Sequence, residues 1–246
     1  MKILVVGGTA DGRKLATRLH ELQFDVVYSI AGIVRKATVP CPVISGGFTQ
    51  FGGLQKFITD HQFTHVVDAT HPFAKKMSDT IAEVSELLSI PAIRFHRKPW
   101  EKTTSDHWVE VDDWPELIEK IKGYQCLFIT AGQVSQSVID SLAMQTKQII
   151  IRTAMPVKVE LPTNVLWLKA IGPFNLEDEK QLIKEYKIDA IISKNSGGNS
   201  TYAKIKAAAE AGIPVYQFKR PCLPPLLFQF DNQAGCIKQL SAASGC

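Results

Sequence analysis

The sequence predicts an α/β fold with two Rossmann-like domains, and three observations support this prediction. Short apolar runs alternate along the chain with segments whose apolar residues recur at i, i+3 and i+4. The runs are continuously apolar, which is typical of strands in mainly parallel sheets that helices cover on both faces. A short repeat relates the two halves: SIPAIRFHRKP (89–99) and GIPVYQFKRP (212–221) both pass through Ile-Pro into an apolar run that ends in basic residues and proline.

The apolar pattern assigns strands and helices along the whole chain. The predicted strands cover residues 3–6, 26–28, 66–67, 92–95, 127–129, 149–151, 165–168, 188–192 and 215–218. Helical spacing is seen in segments such as Leu15-Leu19-Leu22, Ile81-Val84-Leu88 and Leu117-Ile121. We place a boundary near Gly123, which gives an N-terminal domain over 1–122 and a C-terminal domain over 123–246. The segment 99–114 is predicted to be irregular.

Composition limits the classes of protein that this chain represents. With 246 residues, 45% hydrophobic and 21% charged, it is typical of a globular protein. The net charge of +4 is spread along the chain without dense basic blocks, so we expect no nucleic-acid partner and favour a small acidic ligand. The first apolar run, Ile3–Val6, is too short for a signal peptide or a membrane span, so we expect a cytoplasmic protein without a membrane partner.

Cysteine usage gives no support for a disulfide framework or a structural metal. The chain has five cysteines, an odd number, and no Cys-x-x-Cys pair. We therefore expect reduced thiols and no metal site.

The segment VVGGTADGRK (5–14) follows the first strand and opens a helix, where backbone N–H groups and the helix dipole bind phosphate. Thr9 stands where the dinucleotide fingerprint has its second glycine. Arg13 and Lys14 occupy the Lys and Ser/Thr positions of a Walker A loop, which argues against an ATPase or kinase. A tight turn without a ligand is the alternative. The predicted cofactor-binding residues here are Gly7, Gly8, Thr9 and Arg13.

The end of the second strand bears on the choice of cofactor. NAD-selective sites place an acidic residue there, whereas YSIAGIVRK (28–36) offers Ser29 and then Arg35. This favours NADPH over NADH, although Arg35 as a solvated surface cation is an equal alternative. The glycine-rich segment ISGGFTQFGG (44–53) allows close backbone approach, and Gly46 and Gly47 are further candidates for cofactor binding.

The segment VVDATHPFA (66–74) ends a strand at the carboxyl edge of the sheet, where open α/β folds bind ligands. Pro72 is predicted to lie in the first turn of the next helix, with Thr70 or His71 near its cap. His71 is a candidate to donate a proton, to position a nicotinamide, or only to cap the helix. Asp68 is a second candidate proton donor, and Thr70 is a candidate cofactor contact.

The segment SKNSGGNST (193–201) places one ammonium and successive N–H groups before a helix. This chemistry suits an anion, either a pyrophosphate or a carboxylate. The alternative is a glycine turn capped by Asn199 or Ser200. Tyr202-x-x-x-Lys206 has the spacing of a short-chain dehydrogenase pair, but it lies late in the chain. The residues predicted to bind the anion are Lys194, Asn195, Ser196, Gly197, Gly198 and Thr201.

Taken in order, GGTADGRKLA, SIAG, GGF, DATHPFA, IPAIRFHRKPW, GPF (172–174) and KNSGGNSTYAKI resemble the precorrin-6A reductase and cobalt-precorrin-6A reductase family of cobalamin biosynthesis. The resemblance runs from about residue 2 to 221. It implies an enzyme that transfers hydride from a reduced nicotinamide cofactor to one double bond of a late macrocyclic intermediate. The family continues directly from SIAG to arginine, whereas Ile33 and Val34 precede Arg35 here.

A flat corrinoid substrate fringed with carboxylates needs an interdomain cleft and several cations. Arg94, Arg97 and Lys98 join Lys194 as candidates for the carboxylates. Trp100 and Trp108 are candidates to stack on the ring or to pack in the core. A dinucleotide-sensing regulatory protein without activity is the alternative function. The cobalt content of the substrate, NADPH against NADH, and the oligomeric state stay open.

Overall fold

The computed structural model describes residues 1–32 and 38–244. The chain forms two compact units. The first contains residues 1–98 together with the C-terminal segment that begins at Pro221, and the second is Pro99–Arg220. Each unit contains a six-stranded parallel sheet with helices, so the predicted α/β class with two Rossmann-like sheets is confirmed.

The N-terminal part of the first unit alternates strands and helices. It contains β1 (Lys2–Val6), α1 (Ala10–Glu21), β2 (Asp25–Ile30), β3 (Val43–Ser45), α2 (Leu54–Asp60), β4 (His65–Asp68), α3 (Lys75–Leu87) and β5 (Ala92–Phe95). The continuous apolar run of β1 is buried because both faces of the sheet are covered. On α1, Leu15, Ala16 and Leu19 recur at helical spacing and pack against one of those faces.

The second unit follows the same alternation. It contains β6 (Trp108–Val111), α4 (Trp114–Lys120), β7 (Cys126–Ile129), α5 (Gln136–Gln145), β8 (Gln148–Thr153), β9 (Val165–Lys169), α6 (Leu176–Tyr186), β10 (Ala190–Lys194), α7 (Ala203–Ala211) and β11 (Val215–Phe218). The chain then returns to the first unit with β12 (Phe228–Phe230) and α8 (Gln233–Ser244).

Each half of the chain supplies the edge strand of the other half's sheet. The strand orders are β12-β5-β4-β1-β2-β3 and β6-β11-β10-β7-β8-β9. Both orders match the dinucleotide-binding arrangement 3-2-1-4-5-6, with β12 and β6 in the sixth position. The chain passes between the units after Lys98 and after Arg220, at the ends of the two repeated segments.

The observed division differs from the predicted boundary near Gly123, which lies inside the second unit between α4 and β7. The segment 99–114, predicted to be irregular, contains β6, which pairs with β11 through Trp108↔Val215. Strands β3, β6 and β12 were not predicted; they are short edge strands in which a polar residue, Ser45, Glu110 or Gln229, shortens the apolar run. Among residues 1–32 and 38–244, no helix is long and apolar enough to cross a membrane.

Candidate functional site

The glycine loop after β1 holds the beginning of α1. Thr9 is the N-cap of this helix, and its Oγ1 accepts a hydrogen bond of 3.0 Å from the Gly12 N–H. Thr9 thus replaces the fingerprint glycine with a residue that caps the helix. A Cβ on Gly12 would lie 3.0 Å from the carbonyl oxygen of Ala69, so the third fingerprint position permits close packing of α1 against the sheet.

Tyr28, on β2, supports the same loop and was not predicted as a site residue. Its hydroxyl accepts the Gly8 N–H at 2.9 Å, and the Gly7 N–H donates to the Ser29 carbonyl at 2.8 Å. A Cβ on Gly7 would overlap the Tyr28 ring, whereas Gly8, at φ +126°, faces open space. Burial raises the pKa of the fully enclosed Tyr28 phenol. Because the loop's first two N–H groups are bonded internally, the N–H groups that begin α1 are the ones available to an anion.

The other predicted cofactor residues of the first unit differ in burial and in their place in the fold. Ser29 is buried, and Arg13 is exposed on the first turn of α1. Gly46 and Gly47 have φ values of +100° and +79° and form the turn after β3, to which Gln50 Nε2 donates two hydrogen bonds of 2.8 Å. Arg35 lies outside the described residues.

Asp68, at the end of β4, is a buried carboxylate with several partners. Its Oδ2 pairs with Arg94 Nε at 3.1 Å, and its Oδ1 accepts hydrogen bonds from Thr70 Oγ1 at 2.7 Å and Thr70 N at 3.2 Å. Burial raises the pKa of Asp68, but His96, Thr70 and Ser78 outweigh it and hold the pKa well below the ordinary value. The group is therefore ionised at neutral pH and has no proton to donate.

Arg94 is buried in the first unit, and its guanidinium donates hydrogen bonds within that unit. Besides Asp68, its Nη1 donates to the carbonyl of Pro224 at 2.6 Å and to Gln229 Oε1 at 3.3 Å. Its side chain is only 4% exposed. Arg94 thus connects the ends of β4, β5 and β12.

His71 lies in a turn before α3, and the predicted helix start is wrong. The helix begins at Lys75 with Ala74 at its N-cap, so Pro72 lies outside it, and neither Thr70 nor His71 caps it. The segment turns instead because His71 Nδ1 accepts the Phe73 N–H at 3.2 Å and the His71 carbonyl accepts the Ala74 N–H at 2.7 Å.

The three residues just after β5 reach other elements of the first unit. Arg97 Nη1 lies 2.6 Å from Asp11 Oδ2, in the first turn of α1. His96, which the sequence analysis did not single out, has its Nε2 3.7 Å from Asp68 Oδ1. Lys98 is exposed and lies 3.4 Å from Asp231.

In the second unit, the loop between β10 and α7 is held by the segments at which the chain enters and leaves the unit. Asn195 accepts the Trp100 N–H at 2.8 Å and donates to the Trp100 carbonyl at 3.0 Å. Trp100 Nε1 donates to the Gly198 carbonyl at 2.7 Å, and Arg220 Nε donates to the Asn195 carbonyl at 2.9 Å. Gly197 and Gly198 both have positive φ, at +67° and +72°.

The loop between β10 and α7 contains Lys194, the predicted cation, and no side chain of the loop caps α7. Burial lowers the pKa of Lys194, at the end of β10. The N–H of Ser196 donates to the Lys194 carbonyl at 2.7 Å, and the buried Thr201 Oγ1 has no hydrogen-bond partner among the described residues. The helix α7 begins at Ala203 with Tyr202 as its N-cap residue, so the alternative caps Asn199 and Ser200 are wrong.

The aromatic residues of this region pack within the second unit. Tyr202 packs on Trp100 with ring centroids 5.6 Å apart, and Trp108 belongs to the core of the second unit. Lys206 is exposed on α7, whereas Lys204 is buried and its Nζ donates to the Thr201 carbonyl at 2.8 Å. Among the described residues, no group of three or more His, Cys, Asp or Glu side chains is arranged to hold a metal ion.

Two sheets in the dinucleotide-binding order, the first with a capped glycine loop after its first strand, define a Rossmann-like α/β fold. The family model described as Precorrin-6x reductase CbiJ/CobK matches residues 2–242, and the chain belongs to this family.

Curated relatives match over nearly the whole chain. The precorrin-6A reductase of Rhodococcus erythropolis is 35% identical over 96% of each chain. That of Mycobacterium tuberculosis is 36% identical over 94% of this chain and 93% of its own. The cobalt-precorrin-6A reductase of Methanocaldococcus jannaschii is 29% identical over 90% and 91%. A solved structure of CobK precorrin-6A reductase is similar with a TM-score of 0.90 and 28% identity, over 98% of this chain and 96% of that chain.

Proposed function

We propose that this protein reduces one carbon–carbon double bond of the metal-free precorrin-6A macrocycle with a hydride from NADPH. The observation that carries the proposal is similarity over nearly the full length to proteins named precorrin-6A reductase, at 35% and 36% identity. The relative named cobalt-precorrin-6A reductase in Methanocaldococcus jannaschii is less similar, at 29%. The higher identity to the precorrin-6A reductases favours the metal-free substrate. The similarity to named reductases also favours an enzyme over a non-catalytic dinucleotide sensor.

The cofactor pyrophosphate is assigned to the glycine loop of the first unit. Thr9 caps α1, and the helix start presents N–H groups and the positive end of its dipole to an anion. Arg13 is exposed on the same turn. The end of β2 carries Ser29 and no acidic side chain to receive the ribose 2′-hydroxyl, which supports NADPH over NADH.

The nicotinamide half is assigned to the ends of β4 and β5, because dinucleotides lie across the point where the strand order reverses, here between β1 and β4. Thr70 and His71 lie two and three residues after the end of β4 and are assigned to position the nicotinamide. Asp68 and Arg94 are buried beneath them as an ion pair, so their role is to fix this edge. A bound nicotinamide supplies the hydride, and the protein orients the two reacting carbons at about 3 to 3.5 Å.

The ring carboxylates are assigned to the loop after β10 in the second unit. Lys194 supplies the ammonium, and Asn195 to Gly198 supply the backbone of a loop that Trp100 holds in place. The Thr201 hydroxyl, which is unpaired within residues 1–32 and 38–244, is a further polar group of the same loop. A carboxylate suits this arrangement because the partly buried ammonium gains most from an anionic partner.

Anaerobic absorbance spectroscopy of the purified protein tests the proposal, with precorrin-6A or its cobalt form and with NADPH or NADH. We expect turnover with metal-free precorrin-6A and NADPH. Turnover only with the cobalt form, or only with NADH, would correct the substrate or the cofactor. Nucleotide binding without binding or reduction of either macrocycle would overturn the reductase assignment in favour of a sensor.

A further inference from the structure

His96 lies where the sheet of the first unit ends, one residue beyond β5. Its N–H donates to the Phe230 carbonyl at 3.0 Å, so the backbone here continues the pairing of β5 with β12. Its Nε2 is enclosed, lies 3.7 Å from Asp68 Oδ1 and has no hydrogen-bond partner among the described residues. The side chain is 11% exposed. One ring nitrogen therefore faces a carboxylate, which leaves Nδ1 as the nitrogen that a ligand would meet.

The pair has the chemistry of an imidazole oriented by an acid. Asp68 is held in place by Arg94 on Oδ2 and by Thr70 on Oδ1, and its negative charge faces His96 Nε2. A fixed carboxylate at one ring nitrogen orients the ring and keeps a proton on that nitrogen. Nδ1 is then the nitrogen through which His96 passes a proton to a ligand.

The surroundings of His96 place it beside the assigned nucleotide site. The next residue, Arg97, pairs with Asp11 in the first turn of α1, at 2.6 Å. The charged groups that face this edge are thus Asp68 on β4, Arg94 on β5, Arg97 after β5 and Asp11 on α1. His96 lies on the β4–β5 side of the point where the strand order reverses, which is the side assigned to the nicotinamide.

We propose that His96 is the proton donor of the reduction and that Asp68 is its positioning residue. This inference rests on the proposed function. The reduction adds a hydride from the cofactor, with its electron pair, to one carbon of the double bond and a proton from His96 Nδ1 to the other. The double bond becomes a single bond, the nicotinamide is oxidised, and the neutral imidazole regains its proton from water. His71 keeps its separate role of positioning the nicotinamide.

Single-turnover reduction of precorrin-6A by His96→Gln tests the inference, because the amide keeps the size of the side chain and cannot supply an acidic proton. Positioned general acids contribute roughly 100-fold or more, so we expect at least a 100-fold slower reaction with an unchanged Kd for NADPH. Imidazole added to His96→Ala should restore part of the rate. His65→Gln, at the opposite end of β4, is the matched control and should react like the wild type.

Two further measurements separate proton donation from a structural role. In D2O, the wild type should place deuterium on one face of the carbon beside the one that receives hydride, and His96→Gln should place it on both faces. In the ligand-free protein, a ¹H–¹⁵N spectrum should show a slowly exchanging Nε2–H of His96 that is lost in Asp68→Asn.

The outcomes distinguish this inference from the proposed function. A wild type that does not reduce precorrin-6A overturns both. If the wild type reduces precorrin-6A, and His96→Gln does so within about twofold of its rate and with the same deuterium stereochemistry, the role of His96 is overturned. The reductase function then still stands. The pair is supported as donor and positioning residue by two results together. The Nε2–H signal is present in the wild type and lost in Asp68→Asn, and His96→Gln reduces precorrin-6A slowly.

Discussion

Arg97 and Asp11, which are 86 residues apart in the sequence, form an ion pair of 2.6 Å where α1 begins. An acidic side chain in the first turn stabilises a helix through its dipole, but it would also repel a phosphate bound there. Arg97 neutralises Asp11 and brings the segment after β5 to the glycine loop. The arginine that the sequence analysis assigned to the substrate is therefore placed beside the assigned cofactor site.

Arg97→Gln is expected to weaken NADPH binding, because Asp11 is left without its cation beside the loop that we assign to the cofactor phosphates. The pair is partly exposed, so we expect a loss of about 1 kcal/mol, or about fivefold in Kd, measured by fluorescence titration. Adding Asp11→Asn to Arg97→Gln should recover most of the lost affinity for NADPH. Lys98→Gln, which removes an exposed neighbouring cation, is the control. Equal Kd values for Arg97→Gln and Lys98→Gln would contradict this role.

Gly7→Ala is expected to disrupt the glycine loop after β1, since the added Cβ would overlap the ring of Tyr28. Overpacking of this kind costs about 1 to 3 kcal/mol of unfolding free energy, and we also expect at least a roughly tenfold rise in the Kd for NADPH. Gly123→Ala is the control: it has positive φ at +99° but open space around its Cβ. It should lower stability through backbone strain alone and leave the Kd unchanged. Normal NADPH binding by Gly7→Ala would place the cofactor elsewhere.

The class of fold and the polar residues at the carboxyl edge of the first sheet were predictable because both follow from local patterns. Continuous apolar runs mark parallel strands, and polar residues such as Asp68 that follow a run lie at the carboxyl edge. The strand exchange was not predictable in this way. The segments RKP and KRP look alike locally, and only pairing between distant residues, such as Phe228↔Ile93, shows which sheet receives the next strand.

The site residues that were missed share a physical reason, which is that their partners are distant in sequence. Tyr28 supports Gly8 from a neighbouring strand, and His96 lies beside Asp68, which is 28 positions earlier in the sequence. One signal was available for His96: it stands two residues after Arg94, and alternate residues of a strand share a face. The same alternation gave no signal for Tyr28, because a buried strand tyrosine usually only fills the core.

Lys204 is a buried lysine on α7 whose charge is costly to the folded state. Burial lowers its pKa to about 7, repulsion from Arg152 acts in the same direction, and Glu179 opposes both. Arg152 and Glu179 themselves form a buried ion pair of 2.8 Å. The folded protein therefore releases the Lys204 proton near neutral pH, whereas the unfolded chain keeps it up to its ordinary pKa of 10.5.

Between these two values the unfolded state binds the extra proton, so this group makes the free energy of unfolding rise as the pH rises from 7 towards 10.5. Lys204→Met removes that contribution. We expect the stability of wild type relative to Lys204→Met to increase by more than about 1 kcal/mol between pH 7 and pH 9, measured by urea unfolding. Lys206→Met, an exposed position on the same helix, should show the pH dependence of the wild type. If Lys204→Met also keeps that dependence, the lysine is charged in the folded protein at both pH values.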